Sequence, residues 1–173
     1  MPISLHSALV PTWQRILGAG EGWLTKAEAF AEEKGLSEAE MLDQRLIEDM
    51  LPFAYQIKSM ATHSRGAIEG VRQGTFSPDM SPPPASFAAL KQRLAEASDA
   101  LSLVDEEEME SWIGKPMAFA VGERRIEFVA EDFLLSFSQS NFHFHATTAY
   151  AILRRQGIEV GKRDFMGQLP VRA

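Results

Sequence analysis

The chain contains no cysteine among its 173 residues. This absence excludes a disulfide framework, a thiolate nucleophile and a thiolate metal site, so a metal would have to be bound by histidine, carboxylate or amide oxygen. The sequence also has no G-x-S-x-G segment and no H-E-x-x-H segment. It therefore gives no support to a serine hydrolase or to a zincin-type metalloprotease.

Basic residues are scarcer than acidic ones, with 17 Lys and Arg against 24 Asp and Glu and a formal net charge of −7. Nonspecific binding to a phosphate backbone depends on a basic face that releases counterions, so we expect no nucleic-acid partner. The opening segment, MPISLHSALVPTWQRILG, lacks a basic region followed by an apolar core and a small-residue cleavage site. We therefore expect a cytoplasmic protein.

Residues 133–153 carry no Asp, Glu, Lys or Arg and are followed by Arg154 and Arg155. The segment is about long enough to cross a bilayer. Its polar side chains would be costly in lipid, whereas a buried helix of a bundle can pair them. They are Ser136, Ser138, Gln139, Ser140, Asn141, His143, His145, Thr147 and Thr148. We therefore expect a helix inside a protein core and no membrane partner.

Apolar residues at three- and four-residue spacing predict four long helices. These helices span residues 5–34, 46–74, 86–104 and 131–156. The glycines at 18, 20 and 22 predict a bend, or a close approach by another backbone, in the first helix. Gly35 is predicted to end that helix, and Ser37 with Glu40 forms the pattern of a capping box for a short helical turn. Pro52 predicts that the second helix begins near Asp49.

The connections between these helices differ in character. Residues 76–86, FSPDMSPPPAS, predict an extended crossover, because three consecutive prolines cannot continue a helix. The acidic run DEEEMES predicts a solvated turn or short helix, and the alternating pattern of residues 116–130 predicts a β-hairpin around Gly122 and Glu123. The expected fold is mainly all-α: a single domain over residues 1–173 that forms a four-helix bundle with a long crossover and a small β-hairpin before the last helix.

Three segments carry a family resemblance: NFHFHATTAYAILRRQGIEVGKRDFMG, RLIEDMLPFAYQIKSMA and LHSALVPTWQRIL. Through them nearly the whole chain resembles a bacterial family of domains of unknown function within the DinB/YfiT-like metalloenzyme superfamily. The resemblance implies the DinB/YfiT-like bundle fold. That superfamily includes metal-dependent thiol transferases and a mycothiol-dependent isomerase, in which three histidines hold a divalent metal inside the bundle.

The resemblance also implies where a metal would be held, with one ligand on the second helix and two ligands four residues apart on the fourth. At these positions the sequence has Gln56, Asn141 and His145. Only His145 offers an imidazole, and amide oxygens suit transition metals such as Ni or Zn poorly. We therefore predict a degenerate metal site with His145 as its one remaining imidazole ligand.

A pocket is predicted around these positions. His145 lies on an apolar stripe, so it is expected to face inward, either as a metal ligand or as a hydrogen-bonded core histidine. His63 lies on the same face as Gln56, whereas His143 is two residues from His145 and belongs on another face. The predicted pocket residues are Gln56, His63, Asn141, His145 and Tyr150.

Two functions remain open from the sequence, and the residue pattern does not decide whether the chain is an enzyme. One is a bundle without a working metal site that binds a small molecule or a partner. The other is a transferase or isomerase dependent on a divalent metal and a thiol cofactor, with His145 as ligand or general base. The resemblance further implies a homodimer, for which Trp13, Trp23 and Trp112 are candidate interface residues unless they are buried within the monomer.

Overall fold

The computed structural model describes residues 3–171. Its helices are α1 (Leu5–Lys34), α2 (Glu38–Leu42), α3 (Phe53–Thr62), α4 (Arg65–Gln73), α5 (Phe87–Ser102), α6 (Glu106–Glu110), α7 (Ala130–Asp132), α8 (Gln139–Arg155) and α9 (Lys162–Met166). A π-helical segment, Phe133–Ser138, joins α7 to α8. The strands are β1 (Thr75–Phe76), β2 (Pro116–Val121) and β3 (Arg124–Val129). The prediction of a mainly helical fold is confirmed.

The long helices form the predicted bundle. Helix α1 packs against α5 and α8, and α3 packs between α5 and α8. Their facing sides form one apolar core, which includes Trp13, Ile57, Leu94 and Phe142 as fully buried side chains. Burying a large apolar side chain contributes about 1.5–3 kcal/mol, so this core is the main source of the bundle's stability.

Helix α1 begins and ends where the sequence predicts. The Ser4 hydroxyl caps its first turn by accepting from the Ser7 backbone N–H at 3.1 Å. Gly35 follows its last residue in the left-handed conformation, with φ 67°, which glycine adopts without steric cost. At Gly20, an added Cβ would lie 2.9 Å from Leu94 Cδ1. Another part of the chain therefore approaches Gly20 closely, as predicted, but the approaching atoms belong to the side chains of Leu94 and Met60 and not to another backbone.

The prediction of one helix over residues 46–74 is wrong at its start. Pro52 is extended, with φ −73° and ψ 169°, and Phe53 is the first helical residue. A proline disfavours the helical conformation of the residue before it, here Leu51. The helix therefore begins after Pro52 and not near Asp49.

The same predicted helix is also interrupted in its middle. His63 ends α3, and Ser64, with φ −116° and ψ −86°, separates it from α4. The Ser64 hydroxyl donates to the Met60 carbonyl at 2.7 Å, so it satisfies a carbonyl at the helix end. The break puts His63 at a turn, where its side chain reaches the facing helix α8.

The predicted β-hairpin is confirmed, with β2 and β3 antiparallel and Ala118 opposite Glu127. A third strand, β1, pairs with β2 in parallel and was not predicted, because two residues are too few to show a period. Phe76 of β1 is buried under the hairpin beside Phe119. The hairpin is thus attached to the bundle by the strand that leads into the crossover.

The last predicted helix contains the π-helical segment before α8. A π-helix hydrogen-bonds from residue i to i+5, so it accommodates one more residue per turn than an α-helix. Residues 133–153, which carry no charge, thus form the π-helical segment and most of α8 inside the bundle. Within residues 3–171, no helix combines the length and the apolar composition needed to cross a bilayer.

A buried lysine fastens the crossover of residues 77–86 to the bundle. Lys58 is 1% exposed, and its ammonium donates to the carbonyls of Asp79 at 2.7 Å and Ser81 at 2.5 Å. The Asp79 carboxylate lies 3.1 Å from Lys58 Nζ and accepts from Arg93 at 2.6 Å. Burial opposes ionisation of Asp79, but hydrogen bonds from Ser81, Lys58 and Arg93 outweigh it and hold the pKa well below its usual range. The crossover is therefore an ordered part of the fold.

Candidate functional site

Two histidines from facing helices meet inside the bundle. The rings of His63 and His145 lie 5.6 Å apart, centroid to centroid, with their planes inclined by 16°. His63 is 7% exposed and His145 is half-buried. We call these two residues the imidazole pair. His63 follows the last residue of α3 and His145 lies in α8, so the packing of α3 on α8 brings the two rings together.

Gln56 fixes the protonation pattern of His145. Its side-chain oxygen lies 2.7 Å from His145 Nδ1, while its amide nitrogen donates to the Leu51 carbonyl at 2.9 Å. Because the amide oxygen can only accept, Nδ1 of His145 carries the proton and donates it. The lone pair of His145 therefore lies on Nε2.

Ser138 makes the equivalent contact with His63. The Ser138 hydroxyl donates to the His63 carbonyl at 3.2 Å and lies 3.4 Å from His63 Nδ1. Since the single hydroxyl proton goes to the carbonyl, the arrangement that fits is a proton on His63 Nδ1 and a lone pair on Nε2. Ser138 was not among the predicted pocket residues, although its spacing of three before Asn141 and seven before His145 places it on their stripe.

Aromatic rings flank the imidazole pair and shield it partly from water. Tyr55 and Phe144 lie 6.0 and 5.4 Å from the His145 ring, and Phe76 and Phe137 lie 5.5 and 5.9 Å from the His63 ring. Burial, and then the neighbouring His145, lower the pKa of His63 to about 3. Burial also lowers the pKa of His145 to about 4. Both imidazoles are therefore neutral at pH 7.

The other two predicted pocket residues make different contacts. Asn141 lies one turn before His145, but its amide nitrogen donates to the Phe137 carbonyl at 2.8 Å. The Tyr150 ring packs edge-on against Phe165 of α9, 5.8 Å between centroids. Five residues at 100° each place Tyr150 about 140° around the helix from His145. The structure thus brings Gln56, His63 and His145 together, whereas Tyr150 belongs to the contact with α9.

The tryptophans predicted as interface candidates are buried within the chain. Trp13, Trp23 and Trp112 are 0%, 1% and 5% exposed. An interface between copies would therefore use other side chains, such as Leu135 and Phe144, which are 40% and 57% exposed. The homodimer stays a prediction.

The donor set around His145 does not fit the three-histidine metal centre that the resemblance implies. Gln56 accepts from His145, and the amide nitrogen of Asn141 is turned to a backbone carbonyl. Among residues 3–171, no group of three or more His, Asp or Glu side chains is arranged to hold a metal ion. Two imidazoles and two amides are a poor ligand set for Ni or Zn, which prefer a third imidazole, thiolate or carboxylate.

Comparisons with known proteins identify the family and the fold of the chain. The model of a domain of unknown function, DUF1993, matches residues 5–166. The fold is similar to the crystal structure of a DinB family member protein from Shewanella denitrificans, with a TM-score of 0.81 and 25% identity over 98% of this chain and 95% of that chain. No curated protein sequence matches the chain. The chain belongs to the DUF1993 family and has the DinB-like helical-bundle fold.

Proposed function

We propose that the protein binds a small molecule at the imidazole pair, without a three-histidine metal centre. The observation that supports this most is the 2.7 Å hydrogen bond between Gln56 and His145. Gln56 occupies the position of a metal ligand in the resemblance, but here its side chain orients His145 through a hydrogen bond. Such an oriented neutral imidazole presents one hydrogen-bond acceptor, His145 Nε2, in a largely apolar setting.

The surroundings of that acceptor define the class of ligand. A neutral imidazole does not attract an anion, and its lone pair accepts from an O–H or N–H group. Tyr55 and Phe144 flank His145 with aromatic rings, which favour contact with a flat apolar body. The proposed ligand is therefore small, uncharged and apolar, with one O–H or N–H donor, of which a phenol is the simplest example.

The alternative function is a metal- and thiol-dependent transferase or isomerase. It depends on a ligand set in which Gln56 and Asn141 would have to replace imidazoles. The donors present do not supply such a set, so we assign no catalytic step to a metal.

Phenol is the probe that tests the binding proposal. In protein labelled with ¹⁵N-histidine, His145 is expected to show a protonated Nδ1 and an unprotonated Nε2. Millimolar phenol should shift the Nε2 resonance, whereas anisole, which lacks the donor, should leave it unchanged. Equal shifts with both compounds, or none with either, would contradict the proposal.

Gln56→Met provides the matched variant. It removes the acceptor of the His145 proton, so we expect a mixture of the two His145 tautomers and a phenol-induced shift reduced several-fold. Loss of the buried hydrogen bonds should also lower the free energy of unfolding by about 1–3 kcal/mol. Gln73→Met, at an exposed position of α4, should change neither the tautomer nor the shift.

Metal content gives the second arm of the test. After incubation with Ni, Zn or Mn and removal of unbound ions, mass spectrometry should find no stoichiometric ion in the untagged protein. A stoichiometric ion that His145→Ala abolishes would overturn the proposal in favour of the transferase or isomerase.

A further inference from the structure

A second concave site lies beyond Phe76, whose ring contacts His63 and also lines the site. We call it the α4–α5 cleft, because α4, α5 and the crossover bound it. Its volume is about 390 Å³, within the usual size range for sites that bind small molecules. Its charged lining consists of Arg65, Glu69, Asp79, Arg93 and Glu96.

The two arginines of the cleft are incompletely paired. Arg65 donates through Nε to Glu69 at 2.7 Å, and its Nη1 lies 4.0 Å from Glu96. Arg93 donates through Nη2 to Asp79 at 2.6 Å, but its buried Nε has no hydrogen-bond partner within residues 3–171. Since a guanidinium has five N–H donors, both side chains retain Nη donors for a carboxylate, whereas the buried Nε of Arg93 is out of reach of a ligand.

The two glutamates of the cleft retain acceptor capacity in the same way. Their side chains are 45% exposed for Glu69 and 53% exposed for Glu96. Glu96 accepts from Gln92 at 2.8 Å, and its contact with Arg65 is at the limit of an ion pair. The carboxylate of Asp79 is paired with the buried ammonium of Lys58. The formal charges of the other four residues, Arg65, Arg93, Glu69 and Glu96, sum to zero, so the set favours a ligand that carries both signs of charge.

Gly66 keeps this cleft open without being required by the packing of the protein. An added Cβ at Gly66 would have its nearest neighbour at 3.8 Å, which is ordinary van der Waals contact. At Gly70, by contrast, a Cβ would lie 2.8 Å from Phe76 Cβ, so close packing explains that glycine. Gly66 is the second residue of α4, where an alanine would also fit the helix. The missing side chain at Gly66 therefore leaves room in the cleft that packing does not require.

We propose that the α4–α5 cleft binds a free α-amino acid. Arg65 and Arg93 would bind the α-carboxylate through their spare N–H donors, and Glu69 and Glu96 would bind the ammonium group. The inference is independent of the imidazole pair, from which Phe76 separates the cleft.

Isothermal titration calorimetry with three related probes tests the proposal. L-glutamine carries both charged groups, 5-amino-5-oxopentanoate lacks the ammonium, and 4-aminobutanamide lacks the carboxylate. We expect L-glutamine to bind, and each of the other two to bind at least tenfold more weakly. No binding of L-glutamine, or equal binding of all three, would overturn the proposal.

Two matched glycine variants locate the binding. Gly66→Ala and Gly22→Ala both add a methyl group to a helix, and the added Cβ at Gly22 has no heavy atom within 4 Å. Both variants should therefore fold. Gly66→Ala should weaken L-glutamine binding about tenfold and leave the phenol-induced shift of His145 unchanged, while Gly22→Ala should affect neither. Unchanged L-glutamine binding in Gly66→Ala would place the ligand elsewhere and overturn the assignment.

Discussion

Acidification from pH 7 to pH 4.5 is expected to lower the free energy of unfolding by about 2 kcal/mol for each imidazole of the pair. The pKa values of His63 and His145 are lowered from 6.5 to about 3 and about 4. Between the folded and unfolded pKa values, the unfolded chain binds more protons, so stability rises with pH. The contribution is therefore complete above pH 6.5 and is lost as the pH falls towards the folded values.

Urea unfolding at several pH values measures this loss. His63→Gln and His145→Gln should each remove a large part of the pH dependence between pH 6.5 and 4.5. His143, whose pKa is also lowered by burial and by Arg15, contributes to the remainder. Carboxylates with a lowered pKa, such as Asp79, lose their contribution mainly at lower pH, because their unfolded values are 3.8 for Asp and 4.5 for Glu. A pH profile in His63→Gln that matches the unsubstituted protein would refute the assignment.

Asp79→Ala is expected to destabilise the fold by about 3 kcal/mol. The substitution leaves the ammonium of Lys58, which is 1% exposed, surrounded by backbone carbonyls and without its carboxylate. It also removes the acceptor of Arg93. A buried charge without its counter-charge is among the most destabilising changes that a single substitution makes.

A double-mutant cycle separates this effect from the loss of ordinary contacts. Lys58→Met removes the buried charge, so the double variant Lys58→Met, Asp79→Ala should be about 2 kcal/mol more stable than the sum of the single effects predicts. Strict additivity would contradict the role given to the ion pair. Glu127→Ala serves as control, because the Arg125–Glu127 pair is 54% and 66% exposed and its loss should cost less than about 0.5 kcal/mol.

The fold was predictable where local signals agree with packing. Helix α1 has an apolar period, a serine cap and a terminal glycine, and its bounds follow from these. The hairpin follows from its alternating pattern. The break at His63 and the π-helical segment were not predicted, because the contact between them, from Ser138 to His63, is a tertiary contact that no periodicity records. The two-residue strand β1 has no pattern of its own.

The candidate site was predictable only in part. The spacing of Gln56, His63 and His145 placed them correctly on inward faces, but their hydrogen bonds depend on side-chain orientation. Lys58 was missed because a lysine is ordinarily read as exposed, although it lies between Ala54 and Ala61 on the buried face.

The π-helical segment gives the chain one place where its length can change by a residue. Removing one residue within Phe133–Ser138 would let the segment tighten into an α-helix and leave the direction of α8 unaltered. The same deletion within Gln139–Arg155 would turn every following side chain by about 100° around the helix axis. Tolerance to deletion should therefore differ sharply between these two adjoining stretches of one helix.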